Sequence, residues 1–253
     1  MSDSHNPAVL AGPPGDHCFE GVKHVGEALG RSTKVADIDT YLSEPPQGTV
    51  GPKKVVLYFA DVFGPFFNNA KLLQDYFASH GFYVLGIDYF FGDPVHLHAD
   101  EPGFDRAAWS AKSRKQAQEA TPKWIKAART QSTPLSVRYC FGAPYALEIA
   151  TTNDVEAAAF AHPSSLNEDH FKNLRSSLCY SLVQASITLL PEAESRRRAE
   201  DILAEGKKSY LVQIFSGVNH GFATRGDPNI EHERWAKEES ARSVIGWFKR
   251  FTA

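Results

Sequence analysis

The chain has 253 residues, 42% hydrophobic and 23% charged, with 17 Phe, 9 Tyr and 4 Trp. That is enough apolar material for a packed core, and it excludes a disordered chain. The net charge is −3 with no basic stripe, so nucleic acid is not an expected partner.

In chain order, residues 1–20 are rich in Pro, Gly, Ser and His and are expected to form an N-terminal arm over the surface. The alternating Val35, Ile38 and Tyr41 read as one or two edge strands, closed by Pro45-Pro46. VVLYFA at Val55–Ala60 is a continuous apolar run, as in a strand buried on both faces of a parallel sheet. A turn, ADVFGPFFNN, leads to a helix over about Ala70–His80, with Gly81 where a C-cap glycine belongs. Tyr83–Asp88 is the next buried strand. Tyr89–Asp105 is a long connection of the kind that walls a site.

A helix covers about Arg106–Arg129 and is expected to break near Pro122. Strands follow at Leu135–Tyr139, Ala157–Ala161, Leu178–Ser186 and Tyr210–Phe215. The expected helices between and after them are Phe141–Thr151, Glu192–Glu205 and Ile230–Phe251, the last turning Trp235, Ile245, Trp247 and Phe248 inward. Strands alternating with helices predict an α/β fold, a mostly parallel central sheet with helices on both faces. Residues 21–253 read as one domain, since no linker, repeat or second composition appears.

No apolar run approaches the roughly 18 residues that span a bilayer, so no membrane partner is expected. The first residues lack the basic and apolar regions of a signal peptide, which makes a cytoplasmic location the expectation. Cys18, Cys140 and Cys179 are widely spaced and form neither a zinc pattern nor a disulfide framework. There is no phosphate-binding glycine loop, and His96 and His98 lack a third ligand nearby, so no metal or cofactor is expected.

The chemistry centres on PLSVRYCFGAPYALEIA, Pro134–Ala150. A strand runs into Cys140, small residues follow, and a helical pattern begins. That is the nucleophile-elbow layout of α/β-hydrolases, which exposes the side chain at the top of the sheet. The helix N-terminus behind it favours a thiolate. A buried, inert Cys is the plainer alternative. His220, in GVNHGF after the last strand, is the base candidate, and the order nucleophile then histidine fits the same fold. His162, at the end of a strand, could line the pocket; packing is the blander role.

The segments DVFG (61–64), NNAKLL (68–73), FGDPV (91–95), YCFGAPY (139–145), HPS (162–164), AESRRRAEDI (193–202) and NHGF (219–222) together resemble the dienelactone hydrolase family, closest to its fungal branch. The resemblance runs from about residue 20 to the end. It implies an α/β-hydrolase fold and a Cys-His-Asp hydrolase that opens lactones or related esters through an acyl-enzyme. Carried over, Cys140 is the nucleophile and His220 the base. The backbone N–H groups of Val62 and Phe141 form the oxyanion hole, with Asp61 near the resting thiol or capping its turn. Phe63, Tyr89, Phe90, Trp109, Tyr145, His162 and Phe222 are the expected pocket residues.

Two departures stand out. The family carries an Asp four residues before the Pro that opens the next helix, whereas Ile187-Thr188 stand there and 184–190 hold no carboxylate. Glu192 and Glu194 are the nearest substitutes. The family also has Gly two residues before the nucleophile, where this chain has Arg138; an Arg there must project out of the crowding or loosen the elbow, and it could snorkel to solvent or lie near Cys140 and lower its pKa. Three functions follow: hydrolysis of a small lactone or ester; a non-hydrolytic cyclisation, isomerisation or elimination in secondary metabolism on the same pocket; or small-molecule binding without catalysis. The expected partner is a small-molecule substrate, with the protein a monomer or homodimer.

Overall fold

The computed structural model describes residues 7–13, 16–129, 134–183 and 191–252. In chain order its elements are β1 (Val9–Ala11), β2 (Arg31–Val35), β3 (Ile38–Ser43), β4 (Val55–Phe59), α1 (Asn68–Ser79), β5 (Tyr83–Ile87), α2 (Arg106–Ala128), β6 (Leu135–Tyr139) and α3 (Ala143–Ala150). They continue with β7 (Ala157–Ala161), β8 (Leu166–Asn167), α4 (Glu168–Lys172), β9 (Ser177–Val183), α5 (Pro191–Glu205), β10 (Tyr210–Phe215), α6 (Phe222–Arg225) and α7 (Glu231–Phe251).

Eight strands form one sheet in the order β10-β9-β7-β6-β4-β5-β3-β2. The pairs from β10 to β5 are parallel; β3 joins β5, and β2 joins β3, antiparallel. This is the expected α/β-hydrolase architecture. The central strands are apolar throughout because both of their faces are covered. Successive side chains alternate between faces. Leu57 and Phe59 join one buried cluster with Trp124 of α2 and Leu147 of α3. Val56 and Tyr58 join the other with Phe77 of α1 and Val244 and Phe248 of α7.

The strand after β4 pairs on one side of it and β6 pairs on the other, so the chain direction across the sheet reverses between β4 and β6. Ligand sites in open α/β sheets form at the carboxyl ends of strands at such a reversal. In register, Phe59 lies opposite Arg138 and Tyr139 opposite Ala161. The turns carrying Asp61, Cys140 and His162 therefore emerge side by side.

Local chemistry sets two of the helix boundaries. Gly81 has φ +98° and donates its N–H to Ala78 O, ending α1 as expected. The Asp105 side chain caps α2, accepting from Ala108 N at 2.9 Å. Three expectations need correction. Helix α2 runs unbroken through Pro122; the proline forgoes one helical hydrogen bond without ending the helix. Trp235 is 47% exposed, whereas Ile245, Trp247 and Phe248 are buried as expected. The N-terminal arm is tied down: β1 pairs with β8, and a 3₁₀ turn at Asp16–Phe19 buries Cys18. The strand expected to run to Ser186 is described to Val183, and 184–190 lie outside the described residues. Among the described residues no helix is long and apolar enough to cross a membrane.

Candidate active site

Strand β6 ends at Tyr139, and Cys140 takes φ +45°, the left-handed region that costs a non-glycine residue roughly 1–2 kcal/mol. The chain then turns through a 3₁₀ segment, Cys140–Gly142, into α3, so the helix itself starts two residues later than expected. A Cβ on Gly142 would lie 2.7 Å from Phe59 O, so only glycine lets β4 and the elbow approach this closely. Ala143 N and Ser164 N (3.3 Å) both donate to Cys140 O, bracing the turn from α3 and from the segment after β7.

The Cys140 side chain is 0% exposed, contrary to the exposed tip expected of an elbow. Its Sγ lies 3.4 Å from Cys18 Sγ, in the N-terminal 3₁₀ turn. Burial pushes its pKa well above the ordinary thiol value, and the Cys18 hydrogen bond adds to this; His220 pulls the other way but less. Desolvation thus outweighs the helix N-terminus, and the resting group is a thiol.

His220 sits between β10 and α6, next to Gly221 at φ +95°. One of its ring nitrogens lies within 4.8 Å of both sulfurs. Its Nε2 is buried with no hydrogen-bond partner among the described residues. The 184–190 stretch, where the family's acid is expected, and the Glu192 side chain lie outside the described residues; Glu194 is exposed on α5. His162, φ +37°, places its ring 5.0 Å from that of His220. Burial, then His220 and Arg225, push its pKa well below the usual range, so it is neutral.

Val62 lies in the turn after β4 and Phe141 immediately follows Cys140. Asp61 caps its own turn, its Oδ1 accepting from Phe63 N at 2.9 Å. Its Oδ2 accepts from Thr224 Oγ1 at 2.7 Å and forms an ion pair with Arg225 Nη1, both charged side chains being buried. Arg225 also donates through Nη2 to Cys18 O (3.2 Å) and through Nε to Glu20 O (2.9 Å). The carboxylate is thereby committed to the guanidinium and its own turn.

Arg138 follows neither expected course. It is 0% exposed, donating to Ala159 O (3.1 Å), Ala143 O (3.3 Å) and Ser136 Oγ (3.3 Å), with its guanidinium 5.8 Å from the Phe160 ring centre. Side chains two apart on a strand share a face, and here that face is the one under α3, where the carbonyls are. Burial pushes its pKa well down.

A cavity of about 260 Å³ opens at His220, lined also by Glu20, Phe222, Arg225, Asp227 and Glu233. Of the expected pocket residues, Phe222 lines it. Tyr89, Phe90, Trp109 and Tyr145 instead pack around Phe141, with ring centres 5.1–6.4 Å from it. Tyr145 also borders a second hollow of about 490 Å³ between α2 and α3. Phe63 stacks on His96 at 5.7 Å and lies under the Arg225 guanidinium at 4.6 Å. Two site residues carry little sequence signal. Arg225 is a charge inside the run FATRG, which marks it only in hindsight of Asp61; Cys18 lies in a segment that reads as an arm.

A mostly parallel sheet, a strained Cys at a strand-to-helix elbow and a histidine after the last strand are the layout of the α/β-hydrolase class. Residues 38–252 match the dienelactone hydrolase family, and the chain belongs to that family and is a hydrolase of its kind. It is 35% identical to "Dienlactone hydrolase 1" of Gibberella moniliformis, covering 98% of this chain and 97% of that one. It is 31% identical to "Hydrolase tropI" of Talaromyces stipitatus, covering 92% and 95%. Among solved structures, dienelactone hydrolase from Anabaena variabilis superposes with a TM-score of 0.60 at 14% identity, covering 90% of this chain and 99% of that one. A dienelactone hydrolase-like promiscuous phosphotriesterase from metagenomic libraries does so at 0.64 and 19%, covering 89% and 99%.

Proposed function

We propose that this protein hydrolyses a small carboxylic ester or lactone through an acyl-enzyme on Cys140. The observation that carries the reading is Cys140 at φ +45° with a His220 ring nitrogen within 4.8 Å of its sulfur. Because burial keeps the thiol protonated, the base matters: His220 takes the proton as Sγ attacks the carbonyl carbon. The oxygen that gains charge is met by the N–H groups of Phe141 and Val62. The intermediate collapses to a thioester, and the leaving alkoxide takes the proton from the imidazolium. In a lactone that alkoxide stays tethered as part of the acyl chain. Water, deprotonated by His220, then cleaves the thioester and restores the thiol. The cavity of about 260 Å³ reaches His220 but is not lined by Cys140, so the Cys18 turn must move for a substrate to meet the sulfur.

Turnover of p-nitrophenyl acetate tests this. Cys140→Ala should lower it on the order of 10⁴-fold or more, the scale seen when a covalent nucleophile is removed. Unchanged turnover in that variant sinks the reading. The lack of a carboxylate in 184–190 favours a second reading, a non-hydrolytic rearrangement that uses the pocket for orientation alone. It would show as activity on the native substrate that survives Cys140→Ala.

A further inference from the structure

We propose that Cys18, Cys140 and His220 form a binding site for one soft divalent cation of the Zn²⁺ or Cd²⁺ type. The two sulfurs are 3.4 Å apart, and they and a His220 ring nitrogen all lie within 4.8 Å of one another. Tetrahedral zinc, with Zn–S about 2.3 Å and Zn–N about 2.0 Å, sets sulfurs roughly 3.8 Å apart and sulfur to nitrogen roughly 3.5 Å. The sulfurs are within a few tenths of an ångström of that spacing. The imidazole need close by no more than about 1.3 Å to meet it. Thiolate and imidazole are the ligands that select such metals over Mg²⁺ or Ca²⁺.

The surroundings support the donor set. His220 Nε2 is buried with no hydrogen-bond partner among the described residues. Arg225 pins the backbone of Cys18 and Glu20, and the elbow sets the backbone of Cys140, so the segments that carry both sulfurs are held together. The adjoining cavity at His220 is lined by the carboxylate residues Glu20, Asp227 and Glu233 and by Arg225, whose charge is already paired with Asp61, so its field favours cations. On binding, two S–H bonds are exchanged for two metal–thiolate bonds, and two protons leave to solvent. Two thiolates and one dication sum to zero charge, which a buried pocket tolerates far better than a lone thiolate. Water fills the fourth position. Metal here occupies the Cys140 sulfur and so blocks its attack on an ester; that consequence rests on the catalytic reading above, whereas binding does not.

The test uses the reduced full-length protein titrated with Cd²⁺ near pH 7. Near-ultraviolet thiolate-to-cadmium absorption should grow to one equivalent, with two protons released into a weakly buffered indicator solution. Cys18→Ser and Cys18→Ala should each weaken binding at least about tenfold. Cys179→Ser alters a buried thiol of β9 outside the cluster and should keep the signal. Turnover of p-nitrophenyl acetate by the unaltered protein should fall with Zn²⁺ and return with a chelator. Absence of the absorption in the unaltered protein, or its survival in both Cys18 variants, overturns the site. Full absorption with undiminished turnover keeps the site and overturns the assignment of Cys140 as nucleophile.

Discussion

At the scale of single residues, Arg138 is the sharpest departure from the family pattern. It is a cation placed wholly inside the protein, satisfied by two carbonyls and a hydroxyl. Removing a charge from water is costly even when hydrogen bonds remain. Arg138→Met removes the buried charge but strands the buried Ser136 hydroxyl, so the two effects offset and stability should change by no more than about 1 kcal/mol. Arg138→Gly restores the family residue but leaves a void beside Phe160, and should cost about 2–4 kcal/mol. Urea unfolding of both variants checks the contrast; a stabilised glycine variant would refute it. The sequence marked Arg138 as anomalous because an elbow has no room for it. It did not show where the side chain goes, since that depends on carbonyls from β7 and α3 lying under the same face. The placement of Cys140 at a strand-to-helix turn and of His220 after the last strand was legible from local pattern and order. Cys18 was not, because its contact with Cys140 spans 122 residues of chain.

Between elements, the Asp61–Arg225 pair ties the turn after β4 to α6, and Arg225 carries the tie on to the N-terminal segment. Breaking a buried pair strands the surviving charge, which typically costs about 3–5 kcal/mol. Arg225→Met should thus lose more stability than Asp61→Asn with Arg225→Met together, because the double variant leaves no uncompensated carboxylate. A double-mutant cycle by thermal or urea unfolding reads this; strict additivity would mean the pair is not coupled. Helices and strands were largely legible, since the parallel strands are continuous apolar runs and Gly81 and Asp105 carry cap chemistry. Pro122 misled because tertiary packing of α2 overrides the local penalty. Trp235 misled because it is apolar without sharing the period of the buried positions: it lies on the side of α7 opposite Ala236, Ser240, Val244 and Phe248. Strands β1 and β8 are too short, at three and two residues, to leave a pattern.

For the molecule as a whole, burial of thiols dictates how stability responds to alkali. Burial raises the Cys140 pKa well above its usual value and that of Cys179 to about 12. In the unfolded chain both thiols titrate near 8.5. Above that pH the unfolded state loses protons that the native state keeps. Their contribution is full below about 8.5 and declines as pH rises toward the native values, by up to about 1.4 kcal/mol per pH unit for each thiol. The urea midpoint should fall between about pH 8 and 9.5, and fall less steeply in Cys179→Ala. A flat profile would mean the native thiols are already ionised. The α/β class and its parallel sheet follow from the alternation of apolar runs and helical periods. The cover over Cys140 does not, because it is built from contacts between segments remote in sequence.

That remoteness has a kinetic side. Arg225 meets Cys18 and Glu20 across separations of 207 and 205 residues. Closing so long a loop carries an entropic cost that must be met before the contact returns anything, and topologies dominated by such contacts assemble slowly. The central strands can pair from nearer neighbours, and the elbow can form with them. The lid of Cys18 over Cys140 must wait for both the chain's first turn and its last helices. The Cys140 thiol is therefore expected to be covered late in folding, after the sheet and elbow have formed.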